Sequence, residues 1–100
     1  MIRHIVMWKL KKHAEKAAKL QNALKIVEQL ESLKGGIAEI VQLEAGRNMI
    51  ASDDSFDVAL YASFVTKDDL EAYRTHAKHV EVAAFIDRVA ERRIVFDYEI

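Results

Sequence analysis

The first ten residues alternate in the way that is typical of a β-strand. One face would carry every second residue, namely Ile2, His4, Val6, Trp8 and Leu10. On the other face, Ile5 and Met7 lie between two basic residues. A strand with one solvated face usually shows polar residues along that face. The pattern therefore predicts a strand that is covered on both faces.

Helical spacing of apolar residues replaces this alternation over 14–33,. The stripe predicted to face the core consists of Ala17, Leu20, Leu24, Val27 and Leu30. Lys34-Gly35-Gly36 follows, and glycine after a helical stretch is a common stop signal because it adopts left-handed conformations freely. We therefore expect one helix over 14–33.

Two more strands are predicted over 37–45 and 56–65, because turn-forming residues at 46–48 and a polar run at 52–55 separate two apolar segments,. The second of these strands is apolar on both faces, like the first strand. Its Ala59, Tyr61 and Val65 would lie on the same side of a sheet as Ile5 and Met7.

A second helix is predicted to begin at Thr66, whose hydroxyl can accept a backbone N–H, and to run to about Arg74,. Segment 75–79 interrupts the pattern, helical spacing resumes near Val82, and a last strand follows over 94–100,. The order β-α-β-β-α-β predicts a ferredoxin-like α+β fold, a four-stranded antiparallel sheet with helices on one side. A single domain would span residues 1–100.

The side of the sheet away from the helices is predicted to be apolar, because Ile5, Met7, Tyr61 and Val65 all point there. A contiguous apolar patch of this kind marks an interface, and two-fold dimers are the commonest oligomers. We therefore expect a homodimer that forms through this sheet face.

Composition excludes several classes of protein. The chain has 100 residues, no cysteine and a formal net charge of −1. Without cysteine there is neither a thiol nucleophile nor a zinc–thiolate site. The basic residues near the N-terminus lack a nucleic-acid motif, and no apolar run is long enough to span a bilayer, so neither nucleic acid nor membrane is predicted as a partner. With no signal-peptide layout, the expected location is cytoplasmic.

Four short segments, taken in their order and spacing, resemble the stress-responsive A/B barrel (Dabb) family. They are the opening Met1–Val6, Phe56-Asp57-Val58, the Tyr73…His76…His79 segment and the terminal Phe96-Asp97-Tyr98. The resemblance covers essentially the whole chain and implies a dimeric α+β barrel, in which the sheets of two copies pack face to face. Most members of the family have no established activity.

One part of this family resembles plant polyketide cyclases, which use a His as general base and a Tyr to orient the substrate in a cavity between sheet and helices. By this resemblance His79 would be the base, Tyr73 the orienting donor and His4 a further cavity residue. An imidazole suits the task because its pKa of about 6.5 lets it take and return protons at neutral pH. Ala77 stands where family members often carry a proline, which would stiffen the loop before His79,.

Five other residues are candidates for contact with a ligand, namely Trp8, Val58, Leu60, His76 and Phe85. They could also pack against one another and leave no cavity. No cofactor is predicted, and two histidines without a nearby carboxylate make a poor metal site. Three hypotheses stay open: a dimeric module that holds a small hydrophobic molecule or nothing, a cofactor-independent lyase, cyclase or isomerase, and a cofactor-free monooxygenase.

Overall fold

The computed structural model describes residues 1–100 and contains six strands and three helices. The strands are β1 (Ile2–Leu10), β2 (His13–Ala14), β3 (Ala17–Ala18), β4 (Gln42–Arg47), β5 (Val58–Phe64) and β6 (Ala90–Glu99). The helices are α1 (Lys19–Glu31), α2 (Lys67–Thr75) and α3 (Ala77–Val89). Four strands form an antiparallel sheet in the order β4-β5-β1-β6, and β2 pairs with β3 in a separate hairpin. The predicted α+β, ferredoxin-like fold is confirmed.

The core lies between the helices and one face of the sheet, which we call the inner face. On β1 this face carries the residues predicted from the alternation, and all of them are buried: Ile2, His4, Val6, Trp8 and Leu10. Leu60 and Phe64 extend it on β5, and Ile26 of α1 and Ile86 of α3 belong to the same buried cluster. Burial of this continuous apolar layer is the main favourable contribution to folding.

The first helix begins five residues later than predicted, because a tight hairpin occupies residues 13–18. Glu15 and Lys16 form its two-residue turn with φ angles of 50° and 61°. Two successive positive φ values are typical of a type I′ turn, but neither residue type signals one in the sequence. The hairpin was therefore not predicted, because the apolar residues in this segment fit the spacing of a helix.

The helix face predicted to be buried was correct at Leu30, which is buried, and at Val27, which packs against the core, but wrong near the start of α1. Leu20 and Leu24 are 53% and 52% exposed, while Asn22 and Ile26 are almost completely buried. The Asn22 side-chain amide donates a hydrogen bond of 3.0 Å to the carbonyl of Ala14 in the hairpin. This bond can form only if the Asn22 side of α1 faces inward, and the two leucines are then left on the surface.

Strand boundaries shifted as well. The second strand of the sheet begins at Gln42 and not at Ile37, because residues 37–40 form turns after α1, in which Ile37 is buried. The last strand begins at Ala90 and not at Ile94, immediately after α3. An irregularity of the pairing between Lys9 and Leu10 of β1 accommodates this early start,.

The predicted break in the second helix is present and sets the position of the site. The hydroxyl of Thr66 accepts the Asp69 N–H at 3.1 Å and caps the start of α2,. His76 separates α2 from α3 with an extended backbone, and its Nδ1 accepts the Lys78 N–H at 3.1 Å. The break places His79 in the first turn of α3, directly against the end of α2.

The opposite side of the sheet, which we call the outer face, is apolar and uncovered. The pairing of β1 with β6 places Phe96 beside Ile5 and Ile94 beside Met7. Phe96 is 63% exposed and Met7 is 36% exposed. None of the three helices is both long and apolar enough to cross a membrane.

Candidate active site

A small cavity of about 40 Å³ lies between the inner face of the sheet and helices α2 and α3. Its apolar wall comes from both layers and includes Val6, Trp8, Leu60, Val82 and Ile86. Its polar groups are His4, Tyr73, His79, Asp87 and Arg93. A concave apolar site with a few convergent polar groups is the usual form of a small-molecule site.

His79 has a defined tautomer. Its Nδ1 lies 3.0 Å from the backbone carbonyl oxygen of Arg74, and a carbonyl can only accept a hydrogen bond,. Nδ1 therefore carries the proton, and Nε2 keeps a free lone pair in the neutral ring. Burial is the largest cause of the lowered pKa of His79, and the hydrogen bond that His79 donates to the Arg74 carbonyl acts in the opposite direction. At neutral pH the ring is thus an uncharged base with one nitrogen available.

His4 is buried and held by a carboxylate. Its Nδ1 lies 2.5 Å from Oδ1 of Asp97, the residue directly opposite on β6. The other carboxylate oxygen of Asp97 accepts a hydrogen bond of 3.1 Å from the Arg74 guanidinium. Burial lowers the pKa of His4 overall, although the hydrogen bond and the charge of Asp97 act in the opposite direction. The carboxylate fixes the ring orientation of His4, with Nδ1–H toward Asp97.

Tyr73 contributes a buried hydroxyl without a hydrogen-bond partner. Burial raises the pKa of Tyr73 to about 12, so the phenol keeps its proton at neutral pH. Its ring centroid lies 4.4 Å from that of His79 and 6.1 Å from that of His4. An unsatisfied buried donor costs about 1–3 kcal/mol, and an oxygen atom of a ligand in the cavity would remove this cost.

The structure brings together some of the predicted site residues and separates others. His4, Tyr73 and His79 line one cavity together with Trp8 and Leu60. The remaining three candidates do not line this cavity. They are Val58, which is buried elsewhere in the core, Phe85, which borders a groove between α1 and α3, and His76, which caps α3.

Sequence reasoning missed the residues that support the two histidines. Asp97 holds His4, and Arg74 serves both rings, since its guanidinium binds Asp97 and its carbonyl binds His79. Arg93 on the cavity wall was missed as well. Alternation along the last strand places Asp97 and Arg93 on one face, but only the pairing of β6 with β1 shows that this is the inner face,.

No group of three or more His, Cys, Asp or Glu side chains converges as metal ligands would. The Nδ1 atoms of His4 and His79 are each engaged by a different acceptor, Asp97 and the Arg74 carbonyl. Each ring is therefore held through Nδ1 by its own acceptor.

The sequence profile of the Dabb family, described as the Stress responsive A/B Barrel Domain, matches residues 2–100. The chain belongs to the Dabb family. The resemblance seen in its short segments is thereby confirmed. Among curated proteins, no sequence matches this Dabb chain.

Solved structures share the fold over nearly the full length. A dimeric ferredoxin-like protein of unknown function from Bacteroides fragilis is 30% identical, with a TM-score of 0.85 over 99% of this chain and 95% of its own. A dimeric ferredoxin-like protein from Thermobifida fusca is 20% identical, with a TM-score of 0.84 over 99% and 90%. The hydroxynitrile lyase from Passiflora edulis is 19% identical, with a TM-score of 0.80 over 99% and 92%.

Proposed function

We propose that this Dabb chain is a cofactor-independent lyase or isomerase that acts on a small carbonyl compound, with His79 as the general base. One observation carries the proposal. The Arg74 carbonyl holds the proton of His79 on Nδ1, which leaves the Nε2 lone pair free, and His79 lines the same cavity as Tyr73, whose buried hydroxyl has no hydrogen-bond partner. A base and a hydrogen-bond donor in one water-poor cavity are the two groups that enolate formation needs.

The proposed reaction begins with a proton on the carbon next to the carbonyl group. Nε2 of His79 takes this proton, and the electron pair of the C–H bond moves to the carbonyl oxygen to form an enolate. The Tyr73 hydroxyl donates a hydrogen bond to the enolate oxygen while keeping its own proton. The imidazolium then returns its proton to another carbon, which gives isomerisation, or to a leaving group expelled from the neighbouring carbon, which gives a lyase.

Burial supports each step of this sequence. It favours the neutral form of His79, so the base is free before substrate binds,. It also raises the pKa of Tyr73 to about 12, so the donor does not lose its proton. Hydrogen bonds to developing charge are worth more in such surroundings than in water. His4, held by Asp97, forms the adjoining polar wall of the cavity.

The polar lining of the cavity favours this proposal over simple storage of a hydrophobic molecule. The cavity here measures about 40 Å³, and its wall includes five polar or ionisable residues. The fold is compatible with lyase chemistry, since one of the similar structures is a hydroxynitrile lyase.

Proton exchange tests the proposal directly. In D₂O, the wild-type protein should accelerate loss of the methylene proton signal of pentane-2,3-dione, measured by ¹H NMR. His79→Gln should lower this rate roughly a hundredfold or more, since it removes the base. Tyr73→Phe should also lower it, by roughly a hundredfold, since it removes the oxyanion donor.

The matched control is His13→Gln, which removes an exposed histidine in the β2–β3 hairpin. This variant should keep the wild-type rate. Equal rates for the wild type and His79→Gln would contradict the assignment of His79 as the base, and absence of any exchange above the buffer rate would contradict enolate chemistry with this probe.

We also propose that two copies form a two-fold dimer through the outer face. Of the predicted interface residues, Ile5, Met7 and Tyr61 lie on this side, and Val65 directly follows the end of β5 and is exposed; β6 adds Phe96. The similar structures from B. fragilis and T. fusca are described as dimeric. Pairing of two such faces would remove the exposed apolar patch from water in both copies.

A further inference from the structure

We propose that Arg93 selects a substrate that carries a carboxylate next to its carbonyl group, such as a small 2-oxo acid. This inference rests on the proposed function, because it names the substrate class of the same cavity. It depends on three features of the structure: the place of Arg93 on the cavity wall, its lack of an ion-pair partner and the arrangement of charges around it.

The pairing of the strands fixes the position of Arg93. It lies opposite Trp8 on the inner face, and both residues line the cavity. Asp97 lies four residues further along β6 on the same face, about 13 Å away along the strand,. The carboxylate that holds His4 and the guanidinium of Arg93 therefore mark two separate ends of the site.

Arg93 forms neither a salt bridge nor a side-chain hydrogen bond, and it is the only arginine on the cavity wall. Other arginines nearby are occupied. Arg74 binds Asp97, Arg88 binds Glu15, and Arg92 lies over the ring of Phe56. A guanidinium presents a planar set of donors that matches the two oxygens of a carboxylate, so a free one beside a cavity is a ready anion site.

Charge around the cavity favours a singly charged anion. After burial, which is the largest cause of each pKa shift, the positive charge of Arg93 is the second cause for Tyr73 and one of several smaller causes for His4 and His79. Asp87 also borders the cavity, but its charge is not a cause of any of these shifts. Its presence disfavours a dianion such as phosphate more than it disfavours a carboxylate.

A 2-oxo acid would place its negative charge at the Arg93 end of the site. Its carboxylate would bind Arg93, away from the negative charge of Asp97. Its carbonyl oxygen would then be available to the Tyr73 hydroxyl, and the adjacent C–H group to Nε2 of His79. The positive charge of Arg93 would also stabilise the enolate that forms next to the carboxylate.

Two probes of nearly equal shape test this proposal. They are 2-oxobutanoate and pentane-2,3-dione. Both contain the same propanoyl group, which is joined to a carboxylate in the first and to an acetyl group in the second. Binding is followed at pH 7.5 by the ¹H–¹⁵N signal of the indole of Trp8, the single tryptophan, which lines the cavity. We expect 2-oxobutanoate to bind at least tenfold more tightly than the dione.

Arg93→Gln should reduce this preference tenfold to a hundredfold, as expected for loss of a charge-assisted hydrogen bond. Arg93→Lys should retain part of it, because the charge remains but the planar set of donors is lost. Arg92→Gln is the matched control: it removes the same charge one residue away on the outer face, and it should keep the wild-type preference.

Three outcomes would overturn the proposal: equal affinity of the wild type for both probes, an unchanged preference in Arg93→Gln, or a shift of the Trp8 signal by inorganic phosphate at the concentrations at which 2-oxobutanoate acts. Because binding is measured without turnover, failure of the proposed reaction can be distinguished from failure of the proposed role of Arg93. In that case the preference for 2-oxobutanoate persists while proton exchange is absent.

Discussion

Single side chains in this protein are tuned by their immediate surroundings. Both His4 and His79 have a lowered pKa, and the largest cause is burial, which is nearly complete for His4 and partial for His79. The acceptor at Nδ1 differs, a carboxylate for His4 and a backbone carbonyl for His79. The first contact places a negative charge beside the ring and the second does not, so the two rings are not equivalent as bases.

The lowered pKa of His79 predicts how activity changes with pH. The exchange rate should be constant above the ordinary histidine value of 6.5 and should fall only at lower pH, where the imidazole of the folded protein gains a proton,. The measurement is the rate of dione exchange between pH 5 and 8. An inflection above pH 7 would show that another group is the base.

The free energy of unfolding should also decrease at low pH. Because the pKa values of His4 and His79 are lower in the folded protein than in the unfolded chain, the unfolded chain binds more protons below about pH 6.5,. The free energy of unfolding should therefore be highest above that pH and should decrease as the pH falls through the two folded-state values. Urea denaturation at pH 7.5 and 5.5 measures this change, and His79→Gln should make it smaller.

At the scale of elements, the α2–α3 junction and the pairing of β6 with β1 decide which polar groups the site contains. His76 ends one helix and caps the next, and this change of direction brings His79 against Tyr73. Arg74 in the last turn of α2 then reaches the carboxylate of Asp97 on β6. The site thus depends on one junction between helices and one pairing of strands.

Two substitutions on α1 test its observed face. Ile26→Ala should lower the free energy of unfolding by about 2–5 kcal/mol, because it leaves a cavity at a fully buried position,. Leu24→Ala, two residues earlier and half exposed, should change it by no more than about 0.5 kcal/mol,. Urea unfolding of both variants measures the difference. A larger effect at Leu24 would mean that the helix packs by the face predicted from spacing.

At the scale of the whole molecule, the sheet separates two functions. Its inner face carries the cavity, and its outer face is an apolar surface that one copy leaves exposed. Asp97 and Arg93 project from β6 on the inner side, while Phe96 between them projects outward. The proposed dimer and the proposed reaction therefore depend on opposite faces of the sheet and can be tested with separate variants.

Met7→Glu should disrupt the proposed dimer, because it places a charge at the centre of the outer face. Light scattering should report twice the chain mass of 11.4 kDa for the wild type and a single chain mass for the variant. The thermal midpoint of the wild type should also rise with protein concentration. Leu24→Glu, on the helix side, is the control and should remain dimeric. A monomeric wild type at micromolar concentration would contradict the proposal.

Much of the fold was predictable because its strands are long and strongly patterned. The alternation of β1, the capping residue Thr66 and the break near His76 all have local causes, and the structure contains each of them. The start of α1 had no such cause. Glu15 and Lys16 are unusual residues for a turn with positive φ angles. The helix α1 itself carries apolar side chains on more than one side, so their spacing alone did not identify the buried face,.

The candidate site likewise has features that the sequence predicted and features that only the structure shows. The sequence by itself determined that both faces of the sheet are apolar and, through its family resemblance, which histidine and tyrosine to consider. Only the tertiary structure decided which residues contact one another. Asp97 binds His4, Arg74 binds both Asp97 and His79, and Arg93 lines the cavity without an ion-pair partner. The physical reason is that local periodicity depends on neighbours along the chain, whereas ion pairs and unpartnered charges depend on strand register and on residues that are distant in sequence.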